Sequence, residues 1–420
     1  MNLQNKYRKQ GLIRIVRLIL ITFSTIVLVS CGNKPFMLEV PGQSKNSGNE
    51  PSPVVVQKQR GDSGRTFADW CHEKASLNPE TKHTVEILLK KAETTECDVA
   101  NRKLWTLTEL YLSDNQISDI QPLASLTNLR KLTLANNQIS NIKPLQSLTN
   151  LKELNLGYFA QKQLWVDPDN LDKFRGNKIS DIKPLQSLTN LKQLDLNRNQ
   201  ISNIKPLQSL TNLKQLDLND NKISDIKPLQ SLSNLDTLYL NQNQISNIKA
   251  LQSLTHLSVL WLENNEISNI KPLQSLTNLS DLYLKNNKIS DIKPLQSLTN
   301  LETLSLENNK ISDIKPLASV TNLERLRLDN NKISDIKLPK SLTNLSALSL
   351  DDNFIKDTKS LESLINLSSL SLQNNLISDI KPLKSLSNLT VLYLSGNPIA
   401  PKTCPLKPES ICNWEPPPEP

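Results

Sequence analysis

Apolar residues fall on a fixed beat from Leu104 to about residue 399. In LKQLDLNRNQISNIKPLQSLTN, residues 191–212, two leucines flank one polar residue and an asparagine follows. The Leu-x-Leu segment alternates with period two, which predicts a short strand with leucines inward and the middle residue outward. The asparagine recurs at Asn115, Asn137, Asn177, Asn199, Asn221, Asn243, Asn265, Asn287, Asn309, Asn331, Asn353, Asn375 and Asn397. These are thirteen copies, and every interval is 22 residues except Asn137 to Asn177. Asparagine carries donors and an acceptor on a short side chain, so at a buried bend it can satisfy backbone groups that leave the strand ladder. The Ile-x-x-Ile-x-Pro-Leu segment brings the chain back. Its proline excludes a helix interior and suits a turn or 3₁₀ return. No coil can bury its leucines alone, so stacking must supply a continuous core and one long parallel sheet.

This spacing resembles the leucine-rich repeat proteins, close to the internalin type of 22-residue repeat, over residues 104–399. The resemblance implies an α/β repeat solenoid. It would be a leucine-rich repeat horseshoe with a concave parallel β-sheet and short turn or 3₁₀ returns on the convex side, capped at both ends. Such concave faces commonly bind protein partners. The chain departs from the internalins in showing no immunoglobulin-like segment after the repeats and no cell-wall sorting signal, so host-cell invasion is not implied.

The flanks carry their own signals. Residues 64–103 are expected to form an N-terminal cap with one helix, starting at Asn78-Pro79 and presenting Val85, Leu88, Leu89 and Ala92 on one face. Residues 400–420 are expected to be a C-terminal cap and tail whose prolines exclude regular structure. Cys71, Cys97, Cys404 and Cys412 allow three pairings, and the two local ones fit an exported protein with stapled ends.

Residues 1–30 combine basic residues with the apolar run LILITFSTIVLVS, which has the length of a signal-peptide core. The run ends in Leu28-Val29-Ser30-Cys31, which resembles the bacterial lipobox and implies lipidation of Cys31. Residues 31–63 are rich in Pro, Gly, Ser, Asn and Gln and read as a disordered tether. Such a tether reaches roughly 30 Å on average and about 110 Å at full stretch. Together these features resemble a leucine-rich repeat lipoprotein of bacterial, including cyanobacterial, envelopes. The chain would be exported and lipid-anchored to the cell membrane or outer membrane.

The formal charge of +8 changes little. Five basic and no acidic residues lie in 1–30, so the rest carries only +3, which argues against a nucleic-acid partner. The lysines of the returns, such as Lys205, Lys227 and Lys271, follow an Asp or Asn by two positions and read as a solvated, charge-compensated face.

The outward strand positions are the candidate site. Tyr239, Trp261 and Tyr283 stand on consecutive copies, with ring spacing expected at about 4.8 Å. Val259 and Arg325 lie on the neighbouring row, and Glu263, Lys285, Glu307 and Arg327 form a polar rim, after Asp195 and Asp217. The row reads either as a binding hot spot burying roughly 450–600 Å² or as strand packing. A second candidate contact is the insertion 157–176, with Tyr158, Phe159, Trp165 and Phe174, whose aromatics either meet a partner or cover local core. Asp167, Asp169 and Asp172 fail calcium-loop spacing. No motif for a metal, cofactor or catalytic role is found: His72, His83 and His256 lack partners in sequence, and His256 replaces a turn asparagine. The reading is a non-catalytic module that binds a protein, with glycan binding or a spacer role as alternatives.

Overall fold

A computed structural model describes residues 64–158, 176–338 and 340–415. The expected signal peptide, Cys31 and the tether lie outside these residues, as do Phe159, Trp165, Phe174 and the tail 416–420.

Three α-helices open the described chain: α1 (Phe67–His72), α2 (Pro79–Lys91) and α3 (Cys97–Thr106). The sequence led us to expect only α2. Its start is as read, with Asn78 Oδ1 accepting from Thr81 N–H at 2.8 Å and Pro79 in the first turn. The others escaped because each is short. α1 is set by a reciprocal cap, in which Thr66 Oγ1 accepts from Asp69 N–H and the Asp69 carboxylate accepts from Thr66 N–H. α3 buries only Ala100 and Leu104 and is tied to α1 by the Cys71–Cys97 disulfide. Phe67, Val85, Leu88 and Leu104 are fully buried and cover the first coil. Thr84 Oγ1 donates to Asp119 O at 2.6 Å, and Thr81 Oγ1 bonds the Asp119 carboxylate.

Among the described residues, fourteen strands then form one parallel sheet in chain order. They begin with β1 (Glu109–Tyr111), β2 (Lys131–Thr133), β3 (Glu153–Asn155), β4 (Gln193–Asp195), β5 (Gln215–Asp217), β6 (Thr237–Tyr239) and β7 (Val259–Trp261). They continue with β8 (Asp281–Tyr283), β9 (Thr303–Ser305), β10 (Arg325–Arg327), β11 (Ala347–Ser349), β12 (Ser369–Ser371), β13 (Val391–Tyr393) and β14 (Cys412–Asn413). Leucine faces leucine along the ladder, as in Leu238↔Leu260 and Leu260↔Leu282, and all three are fully buried. Each such side chain contributes about 2 kcal/mol by leaving water. β14 was not expected: the Cys404–Cys412 disulfide holds two residues of the C-terminal cap against β13, despite the surrounding prolines.

The recurring asparagine is the hinge of each coil. Asn265 Nδ2 donates to the carbonyls of Leu240 (2.9 Å), Leu262 (3.1 Å) and Glu263 (3.2 Å), while its Oδ1 accepts from Ile245 N–H at 3.0 Å. The residue before it takes a left-handed conformation in most copies, for example Asn264 (φ 56°), Asn286 (φ 55°) and Asn308 (φ 54°). Asn and Asp tolerate that region better than other side chains, which accounts for the Asn-Asn pairs. The returns are 3₁₀ turns such as Lys205–Ser209 and Lys227–Ser231. The Asp or Asn two residues ahead does more than balance lysine charge. Asn203 Oδ1 accepts from Lys205 N–H at 3.0 Å and Asp225 Oδ1 from Lys227 N–H at 2.8 Å, so this side chain starts the turn. His256 is exposed, and its Nδ1 takes up the Ser233 carbonyl at 3.0 Å, as Asn278 does that of Thr255 at 2.8 Å.

Candidate functional site

Tyr239, Trp261 and Tyr283 stand in register on β6, β7 and β8. Ring centroids are 4.8 Å apart for Tyr239–Trp261 and 5.1 Å for Trp261–Tyr283, with planes inclined by 66° and 60°. Edge-to-face neighbours of this kind gain about 0.5–1.5 kcal/mol beyond their burial. The contact has a cost in exposure. Trp261 does not point freely into water as its position suggests; all three rings are half-buried. The Trp261 Nε1 atom is itself buried and has no hydrogen-bond partner. Burial, then the carboxylates of Asp217, Asp281 and Asp236, pushes the Tyr239 hydroxyl to about 12, and burial followed by Asp281 raises Tyr283.

The acids around the row differ from the expected exposed rim. Asp195 is clamped by Asn155 Nδ2 (2.7 Å), Asn197 N–H (3.0 Å) and Asn197 Nδ2 (2.8 Å). Burial raises its carboxyl to about 6. Burial together with the charge of Asp195 raises neighbouring Asp217 further, so the pair retains a proton near neutrality. Ser305 and Glu307 are buried outright (2% and 6% exposed), because Ser305 Oγ donates to the Glu307 carboxylate. Glu263 is half-buried, and burial and then Glu307 raise its carboxyl. Further along, Ser349 and Ser371 donate to Asp329 and to Asp351 (2.6 Å), and burial raises Asp329 to about 6.

Val259 and Lys285 are half-buried beside the aromatic row. Arg325 and Arg327 are exposed together on β10, two register steps beyond Tyr283. Neither arginine makes an ion pair or side-chain hydrogen bond among the described residues, and the Glu307 and Asp329 carboxylates each accept from a serine, Ser305 and Ser349.

Of the insertion, only its root is described. Tyr158 N–H donates to Asn197 Oδ1 at 3.0 Å, and the Arg198 guanidinium lies 4.4 Å from the Tyr158 ring centroid. Tyr158 is therefore half-buried against β4. Gly157 packs so closely on Asp195 and Asn197 that a Cβ would overlap both. β3 still pairs β4 residue for residue, Leu154 with Leu194, so the extra segment leaves the sheet undisturbed. Phe354, Ile365 and Leu376 are also exposed (53%, 54% and 45%), outside the positions the sequence pattern singled out. The signal was present: Phe354 and Leu376 follow the hinge asparagine where the ten copies before them have Gln, Lys or Glu.

Among the described residues, no group of three or more His, Cys, Asp or Glu could hold a metal ion, and no helix is long and apolar enough to cross a membrane.

Comparison with known proteins agrees with the repeat. The family profile described as "Leucine Rich repeats (2 copies)" matches residues 105–146, 127–164, 173–209, 189–231, 211–253, 233–275, 277–319, 321–363 and 365–407. Among solved structures, an internalin, InlF, from Listeria monocytogenes is 32% identical with TM-score 0.62, covering 76% of this chain and 96% of that one. A leucine-rich repeat protein of Leptospira interrogans is 27% identical with TM-score 0.55, covering 75% and 91%. The ectodomain of a membrane receptor kinase from Arabidopsis thaliana, in complex with Casparian strip integrity factor 2, is 26% identical with TM-score 0.56, covering 71% and 39%. None of the curated proteins matches. Leucine-rich repeat domains generally mediate protein–protein interaction, and the fold is a typical non-catalytic scaffold. With profile matches running from residue 105 to 407 and one parallel sheet built from the same coils, the chain belongs to the leucine-rich repeat family.

Proposed function

We propose that this chain is a non-catalytic binding module of a bacterial envelope, exported, lipid-anchored through Cys31, and recognising a protein on the face around Tyr239, Trp261 and Tyr283. The observation that carries the reading is the aromatic row itself. Three large side chains on consecutive strands form a half-buried apolar strip on an otherwise polar face, with the unpaired Trp261 Nε1 at its centre. Clustered aromatics of this kind dominate contact energy at protein interfaces. A sugar ring stacks best on an open ring face. Here the rings are inclined to one another by 66° and 60° and half-buried, so they form no flat open platform, which favours protein side chains over a glycan.

The test is capture from envelope and exoprotein extracts by the mature chain and by a Tyr239→Ser/Trp261→Ser/Tyr283→Ser variant matched by circular dichroism. A protein held by the first and lost by the second supports the reading. Identical captures would assign the row to strand packing, and competition by free sugar would favour the glycan alternative. Anchoring is tested separately: labelled palmitate should enter the full chain and not a Cys31→Ala variant.

A further inference from the structure

The concave face is asymmetric about its aromatic row, and the asymmetry specifies a partner. On the β5 side the row meets Asp217 and then Asp195. On the β9 side it meets Ser305, which is buried, and then the exposed pair Arg325 and Arg327. The two arginines are two residues apart on one strand, so both point to the same face, about 7 Å from each other. Inside the molecule their charge acts through space, Arg327 on Glu263 and both on Tyr283, without direct pairing. Glu307 is taken by Ser305 Oγ and Asp329 by Ser349 Oγ, and no ion pair involves either arginine among the described residues. Arginine forks left free on a contact face receive carboxylates in paired geometry.

We propose that the protein partner presents an apolar anchor to Tyr239, Trp261 and Tyr283 and an acidic residue pair to Arg325 and Arg327. This deepens the function proposed above and rests on it. The spacing follows from the register. Tyr283 pairs Ser305 and Ser305 pairs Arg327, two steps of about 4.8 Å. From Trp261 the count is three steps, about 14 Å. An extended segment covers that range in about three to four residues. Acids on the other flank of the anchor would face Asp217 and Asp195, so the acidic end of the segment is directed toward β10.

The probes are three synthetic peptides with one Trp-Leu anchor, followed about three residues later by Glu-Glu, Ser-Ser or Lys-Lys. Their affinities for the full chain in detergent are measured by calorimetry. The Glu-Glu peptide should bind about ten-fold tighter than Ser-Ser, with Lys-Lys weakest, and added salt should shrink the differences. Arg325→Glu/Arg327→Glu should invert the order. Arg325→Lys/Arg327→Lys should keep it, which separates charge from damage to the fold. Equal affinities, no binding by any peptide, or an order unchanged by the glutamate variant would overturn the proposal. The aromatic triple-serine variant separates the two levels. If it abolishes binding while the arginine variants leave the order unchanged, the concave face remains the site and only the acidic arm is lost. If it binds as wild type, the reading of the concave face itself fails.

Discussion

Replacing Asn265 by alanine should cost far more than replacing Asn115, although both occupy the same position of the repeat. Asn265 is buried and closes four contacts: Oδ1 takes Ile245 N–H, and Nδ2 reaches the Leu240, Leu262 and Glu263 carbonyls. Truncation leaves the Ile245 amide buried without an acceptor, at about 1–3 kcal/mol. The three carbonyls each keep a second donor, Asn243 at Leu240, Asn287 at Leu262 and the Gln242 N–H at Glu263. Their loss is therefore a net hydrogen bond each, about 0.5–1.5 kcal/mol. The sum is roughly 2.5–7.5 kcal/mol, with about 5 as the central expectation. Asn115 stands at the first coil, half-buried, and its side chain makes one bond, from Nδ2 to Ser113 O at 2.7 Å. Its removal should cost under about 1 kcal/mol. The assay is urea unfolding followed by far-UV circular dichroism, with hydrogen exchange at Ile245 as a local probe. In a stacked array the damage should be read first in the coils adjoining residue 265. Equal costs for the two variants, within about 0.5 kcal/mol, would refute the argument that the buried hinge amide sets the price.

Stability should fall as pH rises from about 4 to about 8. Burial raises Asp195 to about 6 and Asp217 beyond it, so the folded state holds protons the unfolded chain releases near its ordinary carboxylate pKa; their favourable contribution is complete below that value and is lost as pH climbs through the folded values. Asp217→Asn should flatten the profile and raise Tm at high pH, and a variant profile parallel to wild type would contradict this. Gly157→Ala should destabilise by about 1–3 kcal/mol, because its methyl meets the clamped Asp195 carboxylate; an unchanged denaturation midpoint would show that the clamp yields. Serine at Cys71 and Cys97 frees a span of 26 residues, at about 3–4 kcal/mol in the chain-entropy account, with faster hydrogen exchange expected in α1 and α3. Exchange that stays unchanged there would show that packing alone holds the cap.

How much of this was visible in the residues depends on what each residue faces. Leu260 and Asn265 were legible because every coil offers them the same neighbours, so one copy explains all. The ring spacing of the aromatic row followed from register for the same reason. The ring inclination did not, since side-chain torsions depend on neighbours that vary from copy to copy. The burial of Glu307 was hidden because it turns on one hydroxyl, Ser305, folding a charged side chain back onto the strand. α1, α3 and β14 are each short and depend on disulfides, whose pairing spacing alone left open. The arginine pair was visible as residues, but not as an unpaired pair, because that required knowing that the nearby acids were already engaged.

The undisturbed pairing of β3 with β4 across the insertion has a consequence for how such a face can change. Neighbouring strands hold one separation whatever segment hangs between them. The distance from anchor to acidic arm is therefore quantised: only the gain or loss of a whole coil between Tyr283 and Arg327 can alter it, in increments of about 4.8 Å. Residues 183–197 and 205–219 are identical, so the chain already contains the kind of duplicated unit from which such an increment is made. A relative with one additional coil in that interval would measure out a partner whose acids lie one or two residues farther along, with every other contact unaltered.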